Sequence, residues 1–203
     1  MPARRPRTYD RAYFDKWYRT PATQVRTRAE LTRLVTFVVA TAEYVLGRPV
    51  RSVLDVGAGE GNWLPVLRTL RPRISYQGVD PSAYAVRRFG GRRNLLLGDV
   101  ASLDTLPLAD GYDLVIANGM LNYLEPAVLR TGLRQLVARA DGMLYLEIFT
   151  EADDITGDTS FAASHDAAWY RRELRRAGLV GCGMHCYLRK ELVSRLAELE
   201  RSL

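Results

Sequence analysis

Residues 53–63 read V-L-D-V-G-A-G-E-G-N-W, and this stretch decides the fold. Val53, Leu54 and Val56 form a short apolar run with β-branched residues, the pattern of a buried strand. Gly57, Gly59 and Gly61 then recur at every second position. From Asn62 onward, Trp63, Val66, Leu67 and Leu70 repeat at helical spacing. A strand that ends in glycines and feeds a helix builds a ligand-binding turn. Glycine allows a sharp turn and a close approach to the main chain, and the helix start adds unpaired N–H groups. A dinucleotide fingerprint, G-x-G-x-x-G, needs a third glycine at position 62. Asn62 stands there instead.

Two further acid-tipped strands follow. Residues 74–80, I-S-Y-Q-G-V-D, read as the second strand, and Asp80 lies at the distance expected for a ribose-binding acid. Pro81 opens the next helix, which is expected to run to Phe89, with 90–93 as a basic turn. Residues 94–98 read as the third strand, followed by Asp99 and Val100. Asp99 serves either the cofactor or the cap of a short helix over 102–106. Residues 112–117, Y-D-L-V-I-A, make the fourth strand and lead into the loop N-G-M-L-N-Y-L.

The pieces D-x-G-x-G-x-G over 55–61, Asp80 in G-V-D-P-S, Asp99 and the 112–123 strand and loop resemble, in order, the motifs of class I S-adenosylmethionine (SAM) methyltransferases. The resemblance spans roughly residues 51–188. It implies an α/β fold with a doubly wound, largely parallel Rossmann-like sheet, SAM as cofactor and S-adenosylhomocysteine (SAH) as product. It implies further that Asp55, Gly57, Ala58, Gly59 and Gly61 wrap the methionine part, that Asp80 and Pro81 border the ribose, and that Asp99, Val100 and Asn118 border the adenine and the methyl. The loop after Asn118 lacks N-P-P-[YFW] and any Pro-Cys pair. It looks most like the variable loop of small-molecule methyltransferases, with Asn118, Asn122 and Tyr123 as pocket residues; Tyr123 alternatively packs.

Ahead of this core, Tyr9, Tyr13, Phe14, Trp17 and Tyr18 recur at three and four, an aromatic stripe on a helix over 8–19. The stripe either packs on the core or forms a lid, with Tyr13, Trp17 and Tyr18 facing substrate. A second amphipathic helix covers 29–46 and stops at Gly47 and Pro49. Residues 1–50 are thus expected to form a tail and helical cap, and 51–203 the SAM-binding core of one structural domain.

After the loop come a helix over 126–139, a turn at Asp141-Gly142 and a fifth strand over 143–149. Glu147 is unusual inside that strand, because a carboxylate there must be paired or face a polar site. An acidic loop with Glu151, Asp153, Asp154 and Asp158 follows; it reads first as a solvated loop, and alternatively, because it leaves the carboxyl end of a strand, as a receiver for a cationic substrate or the basic N-terminal segment. A helix covers 166–177. Residues 179–188 are either one strand or a hairpin split at Gly183, so the seventh strand of the family is either present there or missing. A final helix is expected over 191–199. If the acceptor must lose a proton, the candidate bases are His165, Glu147 and Tyr170.

The chain has 203 residues and a net charge of +6. Residues 1–28 carry eight Lys/Arg and two Asp, an excess equal to the whole net charge, so the remainder is balanced. Cys182 and Cys186 are expected as buried apolar residues sharing a strand face with Met184, and no metal is expected. The N-terminus lacks the apolar core of a secretory signal, no run is long enough to span a bilayer, and a cytoplasmic location is the expectation. The leading functional expectation is methyl transfer to a small-molecule acceptor on O, N or C. The alternatives are an RNA or protein methyltransferase using the basic arm, and a SAM-binding partner protein without catalysis. Oligomeric state is left open.

Overall fold

The computed structural model describes residues 8–159 and 165–200. The chain enters through helix α1 (Arg11–Tyr18) and helix α2 (Arg28–Leu46). Asp10 caps α1 through its carboxylate on the Tyr13 N–H at 3.0 Å. Thr27 and Glu30 form a reciprocal capping box on α2, and Gly47 ends it in the left-handed conformation. The core then alternates: β1 (Ser52–Val56), α3 (Trp63–Leu70), β2 (Ser75–Asp80), α4 (Ala83–Arg93), β3 (Leu95–Leu97), β4 (Tyr112–Asn118), α5 (Pro126–Ala138), β5 (Ala140–Glu147) and α6 (Ala167–Arg176). Strands β6 (Leu179–Gly181) and β7 (Cys186–Arg189) close the sheet.

The strand order is β3-β2-β1-β4-β5-β7-β6. The first five strands are parallel, and β7 runs antiparallel to both β5 and β6. Successive residues of each central strand feed opposite layers. Val53, Leu114, Ile116, Met143 and Tyr145 pack with Val38, Leu67 and Phe89 of α2, α3 and α4. Leu54, Val115, Ala117, Leu144 and Leu146 pack with Leu133 and Leu174 of α5 and α6. Strands covered on both faces read as unbroken apolar runs, which is why they were legible. The strand order reverses between β1 and β4, so a crevice opens at the carboxyl ends of these two strands. No described helix is long and apolar enough to cross a membrane.

The hairpin reading of 179–188 is the one observed. Gly183, Met184 and His185 all have positive φ and turn the chain, and the Cys182 N–H donates to the Cys186 carbonyl at 2.9 Å. Met184 therefore stands exposed at the turn rather than on a shared face with the two cysteines.

Three expected boundaries are corrected. Pro81 lies outside α4, whose N-cap is Ser82, with its hydroxyl accepting from the Ala85 N–H. That helix continues through Gly90 and Gly91 to Arg93. The expected C-terminal helix is replaced by 3-10 turns at Lys190–Arg195 and Glu198–Glu200. There Arg195 donates to the Leu46 carbonyl at the end of α2, so a tertiary tie overrides local periodicity. Asp141-Gly142 is no turn but lies within β5. A Cβ on Gly142 would stand 2.1 Å from the Asp113 carbonyl oxygen, beside a register shift between β4 and β5. The glycine is needed for that approach of two central strands. Gly142→Ala is expected to destabilise the fold by about 2–4 kcal/mol, read from urea midpoints at unchanged slope. An alanine variant as stable as the parent would refute this account.

Candidate active site

The crevice above β1 and β4 deepens into a cavity of about 1100 Å³, larger than the 300–1,000 Å³ or so that holds a drug-sized ligand. Its floor is the glycine turn. Gly57 and Gly59 have φ of +73° and +56°, and the N–H groups of Gly57 and Ala58 both donate to the Val79 carbonyl at the end of β2. Asp80 sits beside them, buried. Its Oδ2 accepts from the Gly59 N–H at 2.6 Å and its Oδ1 from the Ser82 N–H at 2.8 Å. This carboxylate thus clamps the glycine turn to the start of α4, and burial raises its pKa against those two bonds. Each oxygen keeps a second lone pair for a ligand.

Asp55 lies deeper in the same floor. It accepts from the Tyr76 hydroxyl at 2.8 Å. Burial pushes its pKa up to about 7; the Tyr76 bond opposes this and the nearby Asp80 adds to it. A buried carboxylate with no cation beside it among the described residues favours a cationic ligand. Asp99, Val100, Pro81 and Asn118 also line the cavity. Asp99 accepts from the Ala101 N–H at 2.8 Å, so it braces its own turn while facing the cavity.

The roof is α1, and it combines both expected roles. Phe14 is buried and stacks on Tyr84 of α4, with ring centroids 5.8 Å apart. Tyr13, Trp17 and Tyr18 face the cavity. Four ties hold the roof down. The Ser82 hydroxyl donates to the Tyr9 carbonyl at 2.5 Å, and Arg19 forks onto Glu60 at 2.6 and 2.7 Å. The Tyr18 hydroxyl rests on Gly59, where an added Cβ would meet it at 2.6 Å. Beyond α1, Arg26 pairs with Glu147. Burial, then Asp80, Glu60 and Asp55, raise the Tyr18 pKa, so its hydroxyl remains a donor. Gly59→Ala combines this clash with a left-handed φ and is expected to lift the roof. It would lower Tm by several degrees and weaken ligand binding at least about tenfold. Unchanged melting and binding would show that the contact carries no constraint.

The side walls come from the loop after β4, with Gly119, Met120 and Tyr123, and from the segment after β5, with Phe149 and residues 154–158. The acidic loop therefore does border the cavity, and the Tyr123 hydroxyl donates to the Asp158 carbonyl at 2.7 Å. Glu147 reaches the cavity from the end of β5.

Four expected site residues lie elsewhere. Gly61 turns toward Leu95 and Arg93, within 3.1–3.2 Å of where its Cβ would be, not toward the cavity. Asn122 is buried; its amide donates to the Phe149 carbonyl and its Oδ1 accepts from the Phe149 N–H, so it ties two loops together. His165 stacks on Trp169 at 3.8 Å, and neither it nor Tyr170, which lies against Asn122, lines the cavity. Two of the three candidate bases thus lie outside the cavity lining. Sequence reading missed Arg26, Met120, Phe149 and Arg93. Arg26 sits in a connector without a motif, and Met120 covers Gly57 only because the β4 loop folds back. No cluster of metal-ligating side chains occurs among the described residues.

The donor set suits SAM. Carboxylates at three strand ends can accept from hydroxyls and amines, the glycine floor admits close contact, and the deepest acid lacks a counter-cation. Comparisons agree with this assignment. Residues 23–196 match a methyltransferase domain family model. The magnesium protoporphyrin IX methyltransferase from Synechocystis PCC 6803, solved with bound SAH, superposes with a TM-score of 0.61 at 19% identity, covering 85% of this chain and 87% of that one. A SAM-dependent methyltransferase from Archaeoglobus fulgidus gives 0.53 at 18% identity, covering 73% and 69%. An O-methyltransferase family protein from Burkholderia thailandensis gives 0.53 at 19%; it is matched over 78% of this chain but only 56% of its own length. At these identities the structural likenesses speak for the fold alone. No curated protein matches the sequence. With a family model covering most of its length, the chain belongs to the methyltransferase domain family.

Proposed function

We propose that this chain methylates a small-molecule acceptor held between the α1 roof and the loops after β4 and β5. The enclosure carries this reading. The roof is tied across the cavity by Arg19 to Glu60 on one side and Arg26 to Glu147 on the other, which makes a roofed cleft rather than a flat, open surface. The basic N-terminal segment also looks different in three dimensions. Arg11 and Arg19 pair with Asp15, Arg19 also with Glu60, Arg26 with Glu147, and Lys16 Nζ lies over the Trp17 ring at 4.3 Å. Charges engaged in this way are less available to a polyanion such as RNA; Arg4, Arg5 and Arg7 lie outside the described residues.

Bound in the floor, SAM supplies an electrophilic methyl on a sulfonium leaving group. The protein's residues bind and align. Gly57, Ala58 and Gly59 offer main-chain contact to the methionine part and Asp55 its charge. The spare lone pairs of Asp80 receive the ribose hydroxyls, and Asp99 with the Val100 N–H meets the adenine. Tyr13, Trp17 and Tyr123 surround the acceptor. Exclusion of water by the roof and alignment of the two reactants supply the rate enhancement.

The test is calorimetry with SAM and SAH, followed by a screen for SAH release with small acceptors, total RNA and a peptide library. Turnover confined to small acceptors is expected. Turnover confined to RNA or peptides would overturn the reading, and binding without any turnover would favour a non-catalytic SAM-binding role.

A further inference from the structure

Glu147 is 4% exposed at the end of a central strand, yet only one of its oxygens is occupied. Oε1 receives Arg26 and, at 3.2 Å, the Tyr145 hydroxyl. Oε2 has no hydrogen-bond partner among the described residues. It points past Gly119, where an added Cβ would meet it at 3.2 Å. Gly119 follows Asn118 in the loop that borders the methyl position in the reading above, and both residues line the cavity. The second oxygen of a carboxylate side chain that is nine-tenths buried therefore borders the cavity with a free lone pair.

We infer that the acceptor is an amine on an apolar or aromatic body, and that Glu147 Oε2 is the group that receives it. This rests on the methyl-transfer reading given above. The surrounding charges point the same way. At the acceptor end, Asp154 and Asp158 join Glu147, against Arg26 and Arg28. Arg26 is the obvious receiver for a carboxylate acceptor, but its Nη2 is committed to Glu147 and its Nη1 is turned toward Asn118 Oδ1 at 3.4 Å. Arg28 is exposed at the rim. A carboxylate entering the chamber would meet Oε2 directly, a like charge in a poorly hydrated site. An ammonium would meet an acceptor oxygen and the rings of Tyr13 and Phe149, whose faces favour cations. Asp158 and Tyr123 also contribute, after burial, to the raised pKa of Tyr13, which places these groups together around one space.

The step balances without a further reactant. The ammonium gives one proton to Glu147 Oε2, and the freed nitrogen lone pair forms the new N–C bond. The S–C bond breaks with its electron pair retained by sulfur. The products are the methylated amine and SAH, and the proton passes from Glu147 to solvent. Arg26, acting through Glu147, is a positioning residue: it holds Oε1 and so leaves Oε2 turned toward the cavity.

The experiment uses the full chain saturated with SAH and matched probes that share one body. Phenethylamine is paired with 3-phenylpropionate, and hexylamine with hexanoate, each titrated by calorimetry. Amines are expected to bind at least about tenfold tighter than their carboxylate partners. Glu147→Gln is expected to erase most of that preference, and the exposed Asp154→Asn, a milder change that leaves the buried pair intact, to reduce it. SAH affinity and melting temperature measured alongside report whether each variant keeps its fold and cofactor site. Carboxylates binding as tightly as the amines, or no amine binding at all, would overturn the inference while normal SAH binding left the methyltransferase reading standing. Failure of SAH to bind the unmodified chain would instead remove both.

Discussion

Asp80→Ala is expected to weaken SAM and SAH binding by at least about 100-fold. The carboxylate joins the glycine turn to the start of α4 by accepting from the Gly59 and Ser82 N–H groups. Its removal leaves two buried donors unsatisfied, each costing about 1–3 kcal/mol, and deletes the lone pairs offered to the ribose. A fall in Tm should accompany the lost affinity. Asp80→Asn separates the two effects, because its single amide oxygen can serve one N–H while its amine opposes the other. Intermediate affinity, about tenfold below the parent, is the expectation. The check is calorimetry on all three proteins with thermal melts alongside. An alanine variant that binds SAM like the parent would mean that the cofactor does not lie on this strand end.

Asp55→Asn should do the opposite to stability and the same to binding. In the ligand-free fold, burial holds the Asp55 pKa near 7, well above its ordinary value of 3.8. A raised carboxylate pKa means the native state binds more protons than the unfolded chain between about pH 4 and pH 7. Stability from this group is therefore greatest below pH 4 and declines as pH rises, with the full penalty present above pH 7. Asparagine cannot ionise. The variant should thus be more stable than the parent at pH 8, by about 2–4 kcal/mol, and nearly equal to it at pH 4.5. SAM affinity should show the reverse pattern. In the parent it rises with pH toward 7 as the carboxylate ionises to meet the cationic ligand, and in the variant it is weak and flat. Urea denaturation at two pH values and a pH series of SAM titrations test both halves. Equal destabilisation of Asp55→Asn at both pH values would show that the carboxylate carries no burial penalty. In the expected outcome the native residue lowers apo stability to gain affinity, a familiar exchange at functional sites.

The parts of this protein legible from sequence are those coded by near neighbours in the chain. The run Val53 to Val56 is apolar on both faces because β1 is covered on both sides. The alternate glycines announce backbone turns that side chains resist. Asp80 and Asp99 stand where β2 and β3 end, so their place in the cavity followed from element order. The aromatic stripe of α1 was readable as a periodicity, but its two expected roles proved to be two faces of one helix, Phe14 packing while Tyr13, Trp17 and Tyr18 face inward.

Other features depend on what lies across space. The dipeptide Asp141-Gly142 has the local look of a turn, yet the glycine answers to the Asp113 carbonyl of the neighbouring strand. His165 looked available because it follows the fifth strand, but Trp169, one helical turn away, takes up its ring. The Arg26 to Glu147 pair joins residues 121 positions apart: a carboxylate in an apolar strand announces the need for a partner, but nothing local names Arg26. By itself, then, the sequence determined the nucleotide-binding half of this protein: the parallel sheet, the glycine floor and the order of the acids around it. These depend on backbone conformation and burial, which local patterns encode. Only the tertiary structure decided which carboxylates line the cavity, which histidine lies outside its lining and which arginine pairs with Glu147. Charge pairing and cavity walls are made by side chains that meet only after the chain has folded.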